Sequence, residues 1–215
     1  MKIMLGICNS QELVHSTFFW SFIKMQSGDY EIVPYQSGHP WDVVRNNQMI
    51  KVFLESDCDI FVKMDVDQIY PANFLATMIP LVEKHKVIGP LILDRHEGNG
   101  FIPLAFENGE YGKLRRYELG GKTGIIDIPY SHTNLCYSRE VLEKIPMPWY
   151  RAILSEDGLD RGNHVDYEFL DKIKGAGYPI YINMGCVVKH IAFVGIDIKF
   201  FNIWHTGLKG IKNGT

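Results

Sequence analysis

The chain has 215 residues, of which 46% are hydrophobic and 22% charged, with a formal net charge of −3. That is enough chain for one domain with a sizeable core, and the mix is neither collagenous nor disordered. The charge balance offers no basic footprint for nucleic acid, since the one basic cluster, Lys113, Arg115 and Arg116, reads as a solvated loop.

Taken in order, "KIMLGIC" (residues 2–8) reads as a buried strand rather than a signal peptide. Asn9-Ser10 then opens a helix predicted to run to about Met25, capped by Ser10 with Gln11 and Glu12 in its first turn. "YEIVPYQ" (30–36) is a second strand. "SGHPW" is a loop, and "WDVVRNNQMIKVFLES" has helical spacing through Val43, Val44, Met49, Ile50, Phe53 and Leu54. "DIFVKM" is the third strand. Pro71 fits the first turn of the helix "PANFLATMIPLVEKH", and "KVIGPLIL" is the next strand. Residues 94–122 break the rhythm with glycines and mixed charge, and are expected to form a mobile excursion over the sheet. "IIDIPY" and the helix "REVLEKI" restore regular structure. "PMPWYRAILSEDGLDRGN" is again irregular and leads into the helix "HVDYEFLDKIKGAG", ended by Gly175 or Gly177. Two short strands, "PIYIN" and "CVVKH", and an outer helix "GIDIKFFNIWHTGL" complete the chain.

Strands alternating with helices of this length predict an α/β fold, a mostly parallel sheet flanked by helices, in a single domain over 1–215. Cys8, Cys58, Cys136 and Cys186 include no CxxC pair, so they are expected as reduced thiols of a cytoplasmic protein. No run approaches the length of a transmembrane span. The tail "KGIKNGT" has no feature of a natural stop, which leaves room for the chain being one domain of a longer polypeptide.

"FVKMDVDQIYP" carries the chemistry. Asp65 and Asp67 follow an apolar strand, at the end where open α/β sheets bind ligands. The D-x-D spacing alone is weak, because thirteen aspartates in 215 positions yield about one such pair by accident. A second pair, Asp57 and Asp59, does occur, but it precedes a strand and reads as a turn. Carboxylates at a strand's carboxyl end suit Mg²⁺ or Mn²⁺, hard ions that keep positions open for substrate phosphates. Towards the other end of the chain, Asp166 starts a helix and His190 ends a strand, and both can reach the same sheet edge. Singly, each is more often a cap or a structural residue.

Together these segments resemble the GT-A fold glycosyltransferases, specifically the family-2-like group and its compact members from phages, viruses and bacteria. The resemblance covers "RNNQMIKVFLESDCDIFVKMDVDQIYPANFL", "VIGPLILDR…GFIPLAF", "LCYSREVLEKIPMPWY" and "HVDYEFLDKIKGAGYPIYINMGCVVKH" in order, and Asp166, Phe169, Gly177-Tyr178 and His190 match the family's last segment position by position. It implies transfer of a sugar from a nucleotide-sugar donor, most simply a UDP-sugar, to a glycan or glycoprotein hydroxyl, with Mn²⁺ or Mg²⁺ as cofactor. Asp65 and Asp67 would be the metal and diphosphate pair and His190 a third metal ligand. Asp166 would be the general base of an inverting reaction. Arg45 would contact the nucleotide, and Cys8, Asn9 and Ser10 would border the base. Trp149 and Tyr150 lie where an acceptor sugar could stack, or else in the core. Two departures bear on the base and the stereochemistry: Val165 stands where a glutamate is common, and "SHTN" (131–134) replaces a glycine-rich turn. His132 in that turn either contacts the sugar or is structural. The alternatives are a retaining transferase on the same fold, a sugar nucleotidyltransferase, a non-catalytic glycan-binding module and a metal-dependent phosphohydrolase. "GICNSQELVHS" lacks the basic glycine-rich loop of the nucleotidyltransferase, and the phosphohydrolase would need more His and Asp at strand ends.

Overall fold

The computed structural model describes residues 1–10, 14–94, 103–108, 114–131, 134–154, 161–163 and 165–191. The apolar runs become strands β1 (Lys2–Cys8), β2 (Glu31–Ser37), β3 (Ile60–Asp65), a two-residue β4 (Gln68–Ile69) and β5 (Val87–Ile92), interleaved with helices α1 (Ser16–Ile23), α2 (Asp42–Glu55) and α3 (Phe74–His85). Short strands β6 (Ala105–Asn108), β7 (Leu114–Arg116), β8 (Ile125–Ile128), β9 (Tyr130–Ser131) and β10 (Cys136–Ser138) follow. Then come α4 (Arg139–Lys144), β11 (Ile153–Leu154), β12 (Arg161–Asn163), α5 (Val165–Gly175) and β13 (Ile180–His190).

The main sheet has the order β2-β1-β3-β10-β5-β13-β4, with β8 also paired to β13. β2, β1, β3, β5 and β13 run the same way, while β10 lies antiparallel between β3 and β5. The sheet is therefore mostly parallel, as expected, with a reversed strand at its centre. Side chains alternate across a strand, which builds two cores. Ile3, Leu5, Ile60, Val62 and Met64 pack with Phe18 of α1 and Phe74, Met78 and Ile79 of α3 on one face. Met4 and Phe61 pack with Met49, Ile50 and Phe53 of α2 and Phe169 and Ile173 of α5 on the other. The same alternation assigns Lys63 and Asp65 to the α5 side of β3.

Four expectations change. α1 starts at Ser16 with His15 at its N-cap, not at Ser10. The Asn9 amide still donates to the Ser37 carbonyl (3.3 Å), so the backbone there continues the β1–β2 ladder and cannot turn into a helix. The two short C-terminal strands are one strand, β13, whose register on β5 slips between Asn183 and Val187. Pro90 of β5 is opposite Asn183 and has no amide to offer, so the ladder yields there. Part of the excursion over 94–122 is ordered as a three-stranded sheet, β7-β6-β9. Within 146–163, β11 pairs with β12. The outer helix over 195–208, most of the glycines of 94–122 and the middle of 154–163 lie outside the described residues. No helix among the described residues is long and apolar enough to cross a membrane.

Candidate active site

The carboxyl end of β3 brings Asp65 beside Cys8, its register partner on β1. The chain turns at Val66-Asp67 and enters β4, which the sequence gives no sign of because two residues carry no periodicity. β4 pairs antiparallel with the end of β13, Gln68 opposite His190 and Ile69 opposite Lys189, and the Ile191 amide donates to the Asp67 carbonyl (2.8 Å). That small ladder joins the middle of the chain to its far end. It leaves His190 Nε2 3.5 Å from Asp67 Oδ2.

His190 is aimed by its other nitrogen. Nδ1 lies 3.1 Å from the Leu93 carbonyl, which can only accept, so Nδ1 carries a proton and Nε2 is the nitrogen turned towards Asp67. Among the described residues no three His, Cys, Asp or Glu side chains converge into a ready-made cation site. The donor set present is one imidazole nitrogen and one carboxylate oxygen at an open edge. Such a pair fits a divalent ion that completes its shell with water and phosphate oxygens.

Beneath the turn is a buried polar knot. Asn134 Nδ2 donates to Gln68 Oε1 (2.8 Å) and to the Tyr70 hydroxyl (3.1 Å), which itself donates to Gln68 Oε1 (2.8 Å). The Tyr70 oxygen also accepts the Asp65 amide (3.2 Å), so the knot holds the backbone of the D-x-D turn. Gln68 and Asn134 are buried polar residues whose pairing makes their burial tolerable.

On the α5 side, Lys63 is buried in the central strand, with Nζ 4.0 Å from Asp166 Oδ1 in the first turn of α5. Burial on its own would lower the Lys63 ammonium, but the carboxylates of Asp166 and then Asp65 outweigh it and hold it above the ordinary lysine value. Burial pushes the nearby Tyr137 and Tyr150 phenols up, with the Asp166 charge adding to it, so both stay protonated. Nothing in the spacing of the D-x-D pair singles out Lys63, and a lysine inside "IFVKM" is the signal that marks it.

At the β1–β2 end, burial and then the Asp65 charge push the Cys8 thiol far up, so it is a neutral wall of the edge and not a nucleophile. Its sulfur lies 3.6 Å from Asn46 Oδ1 of α2. Asn9 is buried and Ser10 exposed. Arg45 donates through an Nη to the His39 carbonyl (2.7 Å), while its Nε is buried with no partner among the described residues. That is an unmet donor on the α2 side of the edge. His132 lies outside the described residues. Trp149 and Tyr150 are core residues rather than a stacking platform. Tyr150 lies against Phe169 with ring centroids 4.4 Å apart, and Asn47 grips its backbone at both amide and carbonyl.

No protein-family model and no curated protein matches the sequence. Solved structures do match by shape. A197 from STIV superposes with a TM-score of 0.59 at 16% identity, over 91% of this chain and 87% of that one. GalNAc-T7, solved with UDP, GalNAc and Mn²⁺, gives a TM-score of 0.63 at 13% identity over 90% of this chain. S. aureus TarS 1-349, in complex with UDP-GlcNAc, gives 0.54 at 10% identity over 91% of this chain. The chain spans 43% of the GalNAc-T7 chain and 60% of the TarS chain. Identities this low speak to architecture alone. The shared architecture, a mostly parallel sheet with helices on both faces, makes this a GT-A-like fold, the one that the sequence resembles.

Proposed function

We propose that the chain is a glycosyltransferase that moves a sugar from a UDP-sugar to a hydroxyl of a glycan or glycoprotein, with Mn²⁺ or Mg²⁺ as cofactor and inversion at the anomeric carbon. The observation that carries the reading is the meeting of Asp67 and His190, 123 positions apart in the chain, at the edge where Asp65 ends β3 and near which Asp166 opens α5.

Placement supports the following roles. Asp67 and His190 hold the cation, which when bound offsets charge on the departing diphosphate as a Lewis acid. Asp65, next to Cys8, faces the nucleoside side, where Asn9, Ser10 and the unmet Nε of Arg45 border the base and ribose. Asp166 accepts the proton of the acceptor hydroxyl while that oxygen bonds to the anomeric carbon and the carbon–oxygen bond to the diphosphate breaks, releasing UDP. The N-terminal end of α5 favours the ionised carboxylate that this step requires. By the resemblance, His132 is assigned a sugar contact.

Titration calorimetry with UDP, with and without Mn²⁺, tests the cation assignment. Wild type should bind UDP in a Mn²⁺-dependent way, and Asp67→Ala and His190→Ala should each weaken that binding by about tenfold or more. Metal-independent binding, equal in all three proteins, would remove Asp67 and His190 from the site.

A further inference from the structure

We infer that Lys63 is a positioning residue for the transfer step, holding the Asp166 carboxylate against the sheet edge where the acceptor hydroxyl loses its proton; this rests on the function proposed above. Lys63 is on β3, two residues before Asp65, and its side chain runs along the face that α5 covers. It is 9% exposed, in a strand whose neighbours Val62 and Met64 are fully buried. Lysine is rarely placed so deep unless it is paired.

Its ammonium, 4.0 Å from Asp166 Oδ1, also lies within electrostatic reach of Asp65. Val165, Phe169, Leu170 and Ile173 bury the apolar face of α5 and set where the helix sits, and the Lys63–Asp166 pair adds a charged contact at its first turn. Glu168, two residues on, is committed elsewhere, to Arg151 and Lys172.

A purely structural role explains this arrangement poorly. A buried ion pair adds little stability over well-packed apolar residues of similar volume, and the surrounding face is made of methionine and aromatic side chains that would accept one. What the pair does supply is a fixed positive charge within electrostatic reach of both Asp65 and Asp166. Two carboxylates brought to one edge repel one another, and Lys63 offsets that while setting the direction of Asp166. The two arms of the site, the D-x-D turn and the first turn of α5, are thereby linked through one strand.

The test compares Lys63→Met, Lys63→Arg, Asp166→Asn and the Lys63→Met/Asp166→Asn double variant for UDP binding with Mn²⁺, for KM and for kcat. Lys63→Met should keep UDP affinity and lower kcat by about 10²-fold, the scale of a misplaced catalytic group. Lys63→Arg, which keeps the charge, should recover part of that loss. In the Asp166→Asn background, Lys63→Met should cost nothing further, because Lys63 acts through that carboxylate. Wild-type kcat in Lys63→Met, or losses that multiply in the double variant, overturns the inference and leaves the proposed function standing. A wild-type protein that transfers sugar from no nucleotide donor overturns both. If Lys63→Met shows no cooperative thermal transition, Lys63→Gln takes its place in the same comparisons.

Discussion

Asp166 lies in the first turn of α5, near the positive end of the helix and 4.0 Å from the Lys63 ammonium, and these charges stabilise its ionised form. As the proposed base it should be separable from binding. Asp166→Asn keeps the shape and removes the proton acceptor, so Mn²⁺-dependent UDP affinity should stay within error while kcat falls by about 10²–10⁴-fold. Full transfer by this variant would point to another base or to a retaining reaction. Asp65, Asp67, Asp166 and His190 are legible as single residues because each ends or opens an element whose pattern is strong. What no residue shows alone is its partner. Lys63 is an interruption in an apolar run until α5 is folded over it, and Tyr150 is as much a sugar platform as a core residue until Phe169 is seen against it.

At the scale of elements, α2 owes its ending to a side chain from far along the chain. Arg139, the first residue of α4, donates to the carbonyls of Phe53 (2.9 Å), Leu54 (3.3 Å), Ser56 (2.8 Å) and Cys58 (2.7 Å). Its guanidinium also lies over the Phe53 ring, 4.7 Å from the centroid. The Phe53 carbonyl also accepts from the Ser56 amide and hydroxyl, and a cation at this end of the helix suits its dipole. Arg139→Ala should therefore cost ~2–3 kcal/mol in a urea melt. Arg139→Lys should recover little, since one ammonium cannot span four carbonyls. A melt unchanged by Arg139→Ala would mean that water replaces the guanidinium at no cost. Element identities are mostly legible, because period and apolar run length are local properties. Boundaries are less so. The Ser37 carbonyl still holds the chain at Asn9 before α1 begins, and the register slip in β13 falls opposite the missing amide of Pro90 across the sheet.

For the whole molecule, the proposed ligands bridge segments distant in sequence, so binding should tighten the fold. A ligand pair present at 100 times its dissociation constant stabilises by ~2.7 kcal/mol, which for a chain of this size raises Tm by about 5–11 °C. UDP and Mn²⁺ together should produce that shift in a thermal melt, either alone much less, and Asp67→Ala should abolish it. No shift in wild type would count against nucleotide-sugar use altogether.

The amino-acid sequence by itself determined the alternation of strands and helices, the mostly parallel α/β class, and the standing of Asp65, Asp166 and His190 at strand and helix ends. All of these are written in local spacing and in the burial that spacing demands. Only the tertiary structure decided that β10 runs backwards through the sheet, that two residues of β4 tie Asp67 to His190, and that Lys63 meets Asp166. Each of these depends on register between segments far apart in the chain, and register is settled by the packing and hydrogen bonding of both partners at once, which neither segment encodes alone.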